Sequence, residues 1–156
     1  MKKIIFALAA LLSISAAAIA ADKDNAAAVK AIKDRDLTIT VNYIIPTGMP
    51  SINSTDGYSV TIKDGKINGY LPYFGTATTA LVPGADEMGI RFEDCPIEIN
   101  ENTKKANKGK YEWSFKAVSG NETVDVNITL FTNGSASMSM TMSSRSSISY
   151  DGTFAE

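Results

Sequence analysis

Apolar side chains recur at every second residue through most of this chain. A strand with one buried face produces that period, and a helix cannot. Leu37, Ile39, Val41 and Tyr43 alternate with Thr38, Thr40 and Asn42. Tyr58, Val60 and Ile62 repeat the pattern. So do Tyr111, Trp113, Phe115 and Ala117, then Val124, Val126, Ile128 and Leu130, then Ala136, Met138, Met140 and Met142. Shorter candidates are Thr76 to Val82, Met88 to Phe92, Ile97 to Ile99, and Ile148 to Tyr150.

Turn chemistry sets the register between these stretches. Asp64-Gly65 is a two-residue hairpin signal. It pairs Ile62 with Ile67, Val60 with Gly69 and Tyr58 with Leu71, which keeps apolar or small residues on one face. Gly69 opposite Val60 points to a bend or a close backbone approach. A two-residue loop at Asn133-Gly134 would oppose Leu130 to Ser137 and put the faces out of phase. A three-residue loop, Thr132-Asn133-Gly134, opposes Leu130 to Ala136 and Ile128 to Met138, with Gly134 left-handed. Pro46, Gly48 and Pro50 break the chain between Ile44 and Asp56. Glu101 to Lys110 reads as a polar loop.

Eight to ten short strands joined by tight turns, without helical crossovers, predict a mainly β fold: an antiparallel meander. A sheet of that length curls or closes because closure removes exposed edges. The expected form is a lipocalin-like barrel or half-barrel, with a flat two-layer sandwich as the alternative. Asn25 to Asp34 reads as a short helix against one opening. Asp24 is its expected cap, and Val29 and Ile32 lie on one side.

The residues before that helix concern destination. Lys2 and Lys3 precede an apolar run from Ile4 to Leu12, and Ala18-Ile19-Ala20 fits a small-residue cleavage site. This is the layout of a secretory signal peptide. The run is too short to span a bilayer as a retained helix. The expected organisation is a signal peptide over 1–20, an N-terminal segment with the helix over 21–36, and one β domain over 37–156. The product is expected in the periplasm or outside the cell, with no transmembrane segment. Cys95 is the only cysteine. It allows no intrachain disulfide, and it lies far from the cleavage point, so no lipid-attachment cysteine follows the signal. Its expected place is in the core, as a small apolar residue.

Composition removes several chemistries. There is no histidine, so the Ser-His-Asp and Cys-His systems and most catalytic zinc sites drop out. No phosphate loop, nucleophile elbow or calcium loop occurs in the sequence. Glu93-Asp94 and Asp86-Glu87 are adjacent carboxylates that a strand would point to opposite faces. The reading is non-catalytic, with no metal and no cofactor. The chain has 15 basic and 17 acidic side chains. Nucleic acid is therefore not an expected partner.

Four groups of residues are worth weighing for function. The inward faces would place Tyr58, Leu71, Trp113, Phe115, Met138 and Met140 around the barrel interior. They would wall a cavity if it is hollow and form the core if it is not. Met138, Met140 and Met142 make a soft stripe that could adapt to a guest, or simply fill an irregular core. Tyr70-Leu71-Pro72-Tyr73-Phe74-Gly75 offers flat amphipathic rings that could form a rim or pack inside. Tyr43, Tyr73 and Phe74, with Pro46, would be exposed if they meet a partner. Arg145, among serines, could hold an anion, although a solvated turn is its ordinary role. Lys104, Lys105, Lys108 and Lys110 could attract an acidic partner, or form a solvated loop tip offset by Glu98, Glu101 and Glu112.

Two of these segments carry a family resemblance. Tyr70-Leu71-Pro72-Tyr73-Phe74-Gly75 follows the Asp-Gly hairpin, and Ser144-Arg145-Ser146-Ser147-Ile148-Ser149-Tyr150-Asp151-Gly152 lies near the end of the chain. With the signal peptide and the Pro-Gly loop after the first strand, the chain resembles an exported bacterial family catalogued as domain of unknown function 4251. The resemblance covers about Leu37 to Gly152. It implies export and a lipocalin-like β fold, and no activity. An arginine often follows the motif's glycine in the family, where this chain has Thr76. A glutamine often follows the later arginine, where this chain has Ser146.

The functional expectation is binding of a small apolar or amphipathic ligand inside the barrel. The alternative is a solid-core module of the cell envelope that meets a protein or glycan partner.

Overall fold

A computed structural model describes residues 25–77 and 89–155. The expected signal peptide, Asp24, Met88 and most of the expected Thr76–Val82 strand lie outside them. Helix α1 spans Ala26–Asp34. Its cap is Asn25 rather than Asp24: Asn25 Oδ1 accepts from the amides of Ala27 at 3.0 Å and Ala28 at 3.4 Å. That satisfies amides which the first turn leaves without helical partners. Arg35 ends the helix in the left-handed conformation, φ 53°.

The strands are β1 (Leu37–Pro46), β2 (Ile52–Asn53), β3 (Ser59–Lys63), β4 (Lys66–Leu71), β5 (Ile90–Pro96), β6 (Asn100–Asn102), β7 (Lys110–Ser119), β8 (Glu122–Phe131), β9 (Ser135–Met142) and β10 (Ile148–Thr153). A 3-10 turn covers Ala106–Lys108. The expected Glu101–Lys110 loop thus contains the tail of β6 and this turn. The sheet order is β5-β4-β3-β1-β10-β9-β8-β7-β6, with β2 paired to β1. Every pairing is antiparallel. Sequence neighbours pair as in a meander, with two changes. First and last strands β1 and β10 sit side by side, and the gap in the sheet falls between β5 and β6. Pairing β1 with β10 covers edges that an open meander would expose at its ends.

The sheet curls so far that β5 returns against β7. Arg91 N donates to Ser119 Oγ at 2.9 Å, and Val118 N donates to Cys95 Sγ at 3.2 Å. Side chains therefore close a seam that no backbone ladder crosses in the described residues, and the form is a half-barrel. Cys95 is buried beside this seam.

Both hairpin registers follow the turn chemistry. Ile62 pairs with Ile67 and Val60 with Gly69. Leu130 pairs with Ala136 and Ile128 with Met138, and Gly134 has φ 95°. Gly69 has φ 150°, and a Cβ there would stand 2.5 Å from the Ser59 carbonyl oxygen. Only glycine fits that approach. The register of β4 with β5 also shifts between Ile67 and Gly69. Tyr58 falls just before β3, and Leu71 pairs with Ile90 instead.

One expected face is corrected. Leu37, Ile39 and Val41 point inward, but Tyr43 is 51% exposed and Ile44 is buried. The β1–β10 register shifts between Val41 and Tyr43. A bulge there adds one residue and inverts the alternation beyond it.

The buried side chains of the sheet and helix form one cluster. Helix α1 contributes Ala28 and Ile32 and closes one end of the half-barrel. Asn25 N donates to Thr132 O at 2.7 Å, and Asn25 Nδ2 donates to Ala155 O at 3.1 Å. These bonds tie the helix to the β8–β9 turn and to the last described residue. The opposite end carries the β7–β8 turn, the segments around Pro72–Ala77 and Ser143–Ser147, and the β1–β2 loop.

Candidate functional site

The six residues expected to face the interior divide five to one. Leu71, Met138 and Met140 have no exposed surface, Trp113 is 1% exposed and Phe115 is 5% exposed. They come from β4, β7 and β9 and belong to the single core cluster. The buried Trp113 indole keeps a partner, since Nε1 donates to Glu101 Oε1 at 3.1 Å. Tyr58 stands apart as a half-buried residue at the rim. Its hydroxyl donates to Asp56 Oδ2 at 3.1 Å, and its ring lies 6.0 Å from that of Tyr70.

The two segments that carry the family resemblance meet at the end opposite the helix. Tyr73 does not stand in solvent as an interaction residue would; it is 6% exposed. Its hydroxyl donates to Ser146 O at 2.9 Å and lies 2.9 Å from Ser146 Oγ. Ser146 N donates to Thr76 O at 3.0 Å, and Ser146 Oγ accepts from Thr76 N at 3.3 Å. Ala77 bridges to Arg145. Thr76 and Ser146 are thus bonded to each other. Tyr150 sits beneath them, its hydroxyl donating to Pro72 O at 2.9 Å. Burial pushes its phenol well above the ordinary range.

Arg145 organises this cluster. The solvated turn expected for it is corrected: its side chain is 11% exposed. Nε and Nη2 donate to Glu122 Oε2 at 3.2 and 3.1 Å, and Nη1 reaches Gly89 O at 3.4 Å. Its guanidinium lies 4.9 Å from the centre of the Tyr73 ring, within cation–π range. Glu122 Oε1 accepts from Ser144 N at 3.1 Å and from the Ser144 hydroxyl. Burial opposes ionisation of Glu122. Hydrogen bonds from the Ser144 hydroxyl and amide, and then from Arg145, outweigh it and hold the carboxyl below its ordinary value. The arginine expected to take an external anion already holds an internal one. Nothing in the sequence marks Glu122 as its partner, because the two belong to different turns.

Exposed apolar residues also lie at this end, Val118 of β7 and Tyr70 of β4 among them. Tyr43, Met49 and Ile52 belong to the β1–β2 region, and Phe74 projects from the docked segment; their exposures run from 38% to 51%. Of the three expected interaction residues, Tyr43 and Phe74 are therefore accessible and Tyr73 is not.

No group of three or more histidine, cysteine or acidic residues that could hold a metal occurs among the described residues. No helix among them is long and apolar enough to cross a membrane.

Residues 20–154 match the pattern of a family described as Domain of unknown function (DUF4251). The crystal structure of a DUF4251 family protein from Bacteroides eggerthii DSM 20697 has the same fold, with a TM-score of 0.57. It is 17% identical, over 81% of this chain and 83% of that chain. Among curated proteins, none matches this chain. The family match takes in helix α1, the whole half-barrel and both docked segments, so the chain belongs to the DUF4251 family.

Proposed function

We propose that this protein is an exported, non-catalytic interaction module that acts through its surface on a protein partner, in the cell envelope or outside the cell. The partition of its large apolar side chains carries this reading. Leu71, Trp113, Phe115, Met138 and Met140, which would have to line a guest cavity, are packed into one cluster at 5% exposure or less. Tyr43, Met49, Ile52 and Phe74 stay exposed at the end away from the helix. Covering such side chains is a main favourable contribution to association, and aromatic residues dominate it. The layout of residues 1–20 supports export. The lack of histidine supports a non-catalytic role, and the best-built polar cluster, around Arg145, has its charges already paired.

The carrier reading has one observation of its own. Met138, Met140 and Met142 line one face of β9, and unbranched thioethers repack more easily around a guest than branched side chains do.

A native mass measurement on the exported chain separates the two readings. The surface module predicts a bare mass. It also predicts a protein that cross-links to the wild type in its native host and is lost from Tyr43→Ser/Phe74→Ser. Extra non-covalent mass that disappears in Met140→Trp would overturn this reading in favour of the carrier.

A further inference from the structure

We infer that the groove between helix α1 and the Ala106–Lys108 turn binds a small carboxylate carried on a six-membered ring. Such a ligand is an acidic sugar or an aromatic acid. This site lies at the opposite end from the surface proposed above and stands independently of it.

The first observation is a charge imbalance. Lys30, Lys63, Lys110 and Lys116 each pair with a carboxylate at 2.5 to 2.9 Å. Among the described residues Lys33 and Lys108 do not, although acidic side chains outnumber basic ones in this chain. Of the three carboxylates that could offset the lysine loop, Glu98 is exposed and the other two are occupied. Glu101 takes Arg35 and the Trp113 indole, and Glu112 takes Lys110 and Asn102. Lys33 and Lys108 therefore border one groove without an ion pair among the described residues, and Lys104 and Lys105 just before the turn add to the local positive field.

The second observation is what accompanies those cations. The groove measures about 310 Å³, and its lining includes Val29, Lys33, Asn107, Lys108, Tyr111 and Phe131. The half-buried rings of Tyr111 and Phe131, with Val29, supply the apolar part of the lining, beside a polar part that includes Lys33, Asn107 and Lys108. That volume is at the small end of ligand sites. It suits a single ring better than an extended acyl chain.

The third observation is that the walls are held in place before any ligand arrives. Asn25 N donates to Thr132 O at 2.7 Å, Thr132 N to Gly109 O at 2.9 Å, and Gly109 N to Ala106 O at 3.0 Å. Helix, turn and β8–β9 loop are thereby joined through backbone bonds. The same bonds occupy the amides of Gly109 and Thr132, and the Gly134 amide is spent on Phe131 O at 2.9 Å. Phosphate sites typically rely on free backbone amides or an arginine fork; no arginine lines this groove, and its Gly109 and Thr132 amides are taken. Lysine point charges beside aromatic rings fit a ring-borne carboxylate.

Amide NMR spectra of the isotopically labelled protein test the inference, with glucuronate and benzoate as probes. Glucose, benzyl alcohol and inorganic phosphate are the comparisons. The expected result is a saturable shift of amides in α1, the 106–109 turn and the β8–β9 loop with one of the two acids. The acid that binds identifies the source as saccharide or aromatic. The neutral comparisons should leave those amides unmoved. Lys33→Gln combined with Lys108→Gln should weaken binding about tenfold, as two exposed charges of about threefold each would. Both side chains are exposed, so the variant's remaining spectrum should stay native. The inference is overturned if neither acid shifts these amides, if phosphate or a neutral comparison shifts them equally, or if the double variant binds as tightly as wild type.

Discussion

Arg145 and Lys33 sit at opposite ends of one half-barrel, and the two ends treat positive charge in opposite ways. Arg145 is 11% exposed and pressed between the Glu122 carboxylate and the Tyr73 ring. Lys33 is exposed on α1, without an ion pair among the described residues. A cation removed from water must be compensated on the spot, so the clasp around Arg145 is an internal fastening. A cation left in water has no such requirement, so Lys33 is free to serve a ligand. The difference teaches that the same kind of side chain is structural or available according to its burial.

Breaking the clasp should have the largest effect. Arg145→Met would leave the partly buried Glu122 without its counter-charge and should cost about 2–3 kcal/mol in urea unfolding. Adding Glu122→Gln should restore a good part of that loss. The sign of the pH dependence sharpens the test. Glu122 is held below its ordinary value of 4.5. Its contribution is thus present above that value and fades as pH falls through the lower folded-state value. The gap between wild type and Arg145→Met should accordingly narrow in acid. A gap that stays constant down to the acid limit would mean the carboxylate does not carry the clasp.

An intermediate effect is expected at the other end from Asn25→Ala. This change removes the helix cap and the bond to Ala155 and should cost about 1–2 kcal/mol. Hydrogen exchange should rise in α1 and the β8–β9 loop while Tyr150 and its neighbours stay protected. Equal loosening at both ends would show that the helix supports the whole half-barrel.

The smallest effect should come from Lys33→Gln and Lys108→Gln. Exposed and without an ion pair among the described residues, they should each shift stability by no more than about 0.5 kcal/mol. A loss approaching that of Arg145→Met would erase the contrast between the ends.

Much of the fold is legible in the sequence, because a half-buried strand writes its period into the chain. Val124, Val126, Ile128 and Leu130 are buried as their spacing requires. Gly134 and Gly69 mark a turn and a close approach where those glycines forecast them. Tyr43 misled because a bulge inserts one residue without altering the composition around it. The β1–β10 pairing was hidden for a different reason: no short turn joins those strands, and only the closing of the sheet brings them together. The candidate residues were less legible still. Leu71, Trp113, Phe115, Met138 and Met140 were readable as inward-facing, but packing decides whether an inward face is a core or a cavity wall. Tyr73 and Arg145 lie in segments rich in turn residues, which reads as exposure.

The sequence by itself determined the antiparallel β class, the hairpin registers and the excluded histidine chemistries. Those follow from local spacing and from residues that are present or missing. Only the tertiary structure decided that Arg145 belongs to Glu122 and Tyr73, and that Lys33 and Lys108 border one groove. Pairing of charges depends on distance in space and on access to water, and neither quantity is carried by position along a chain.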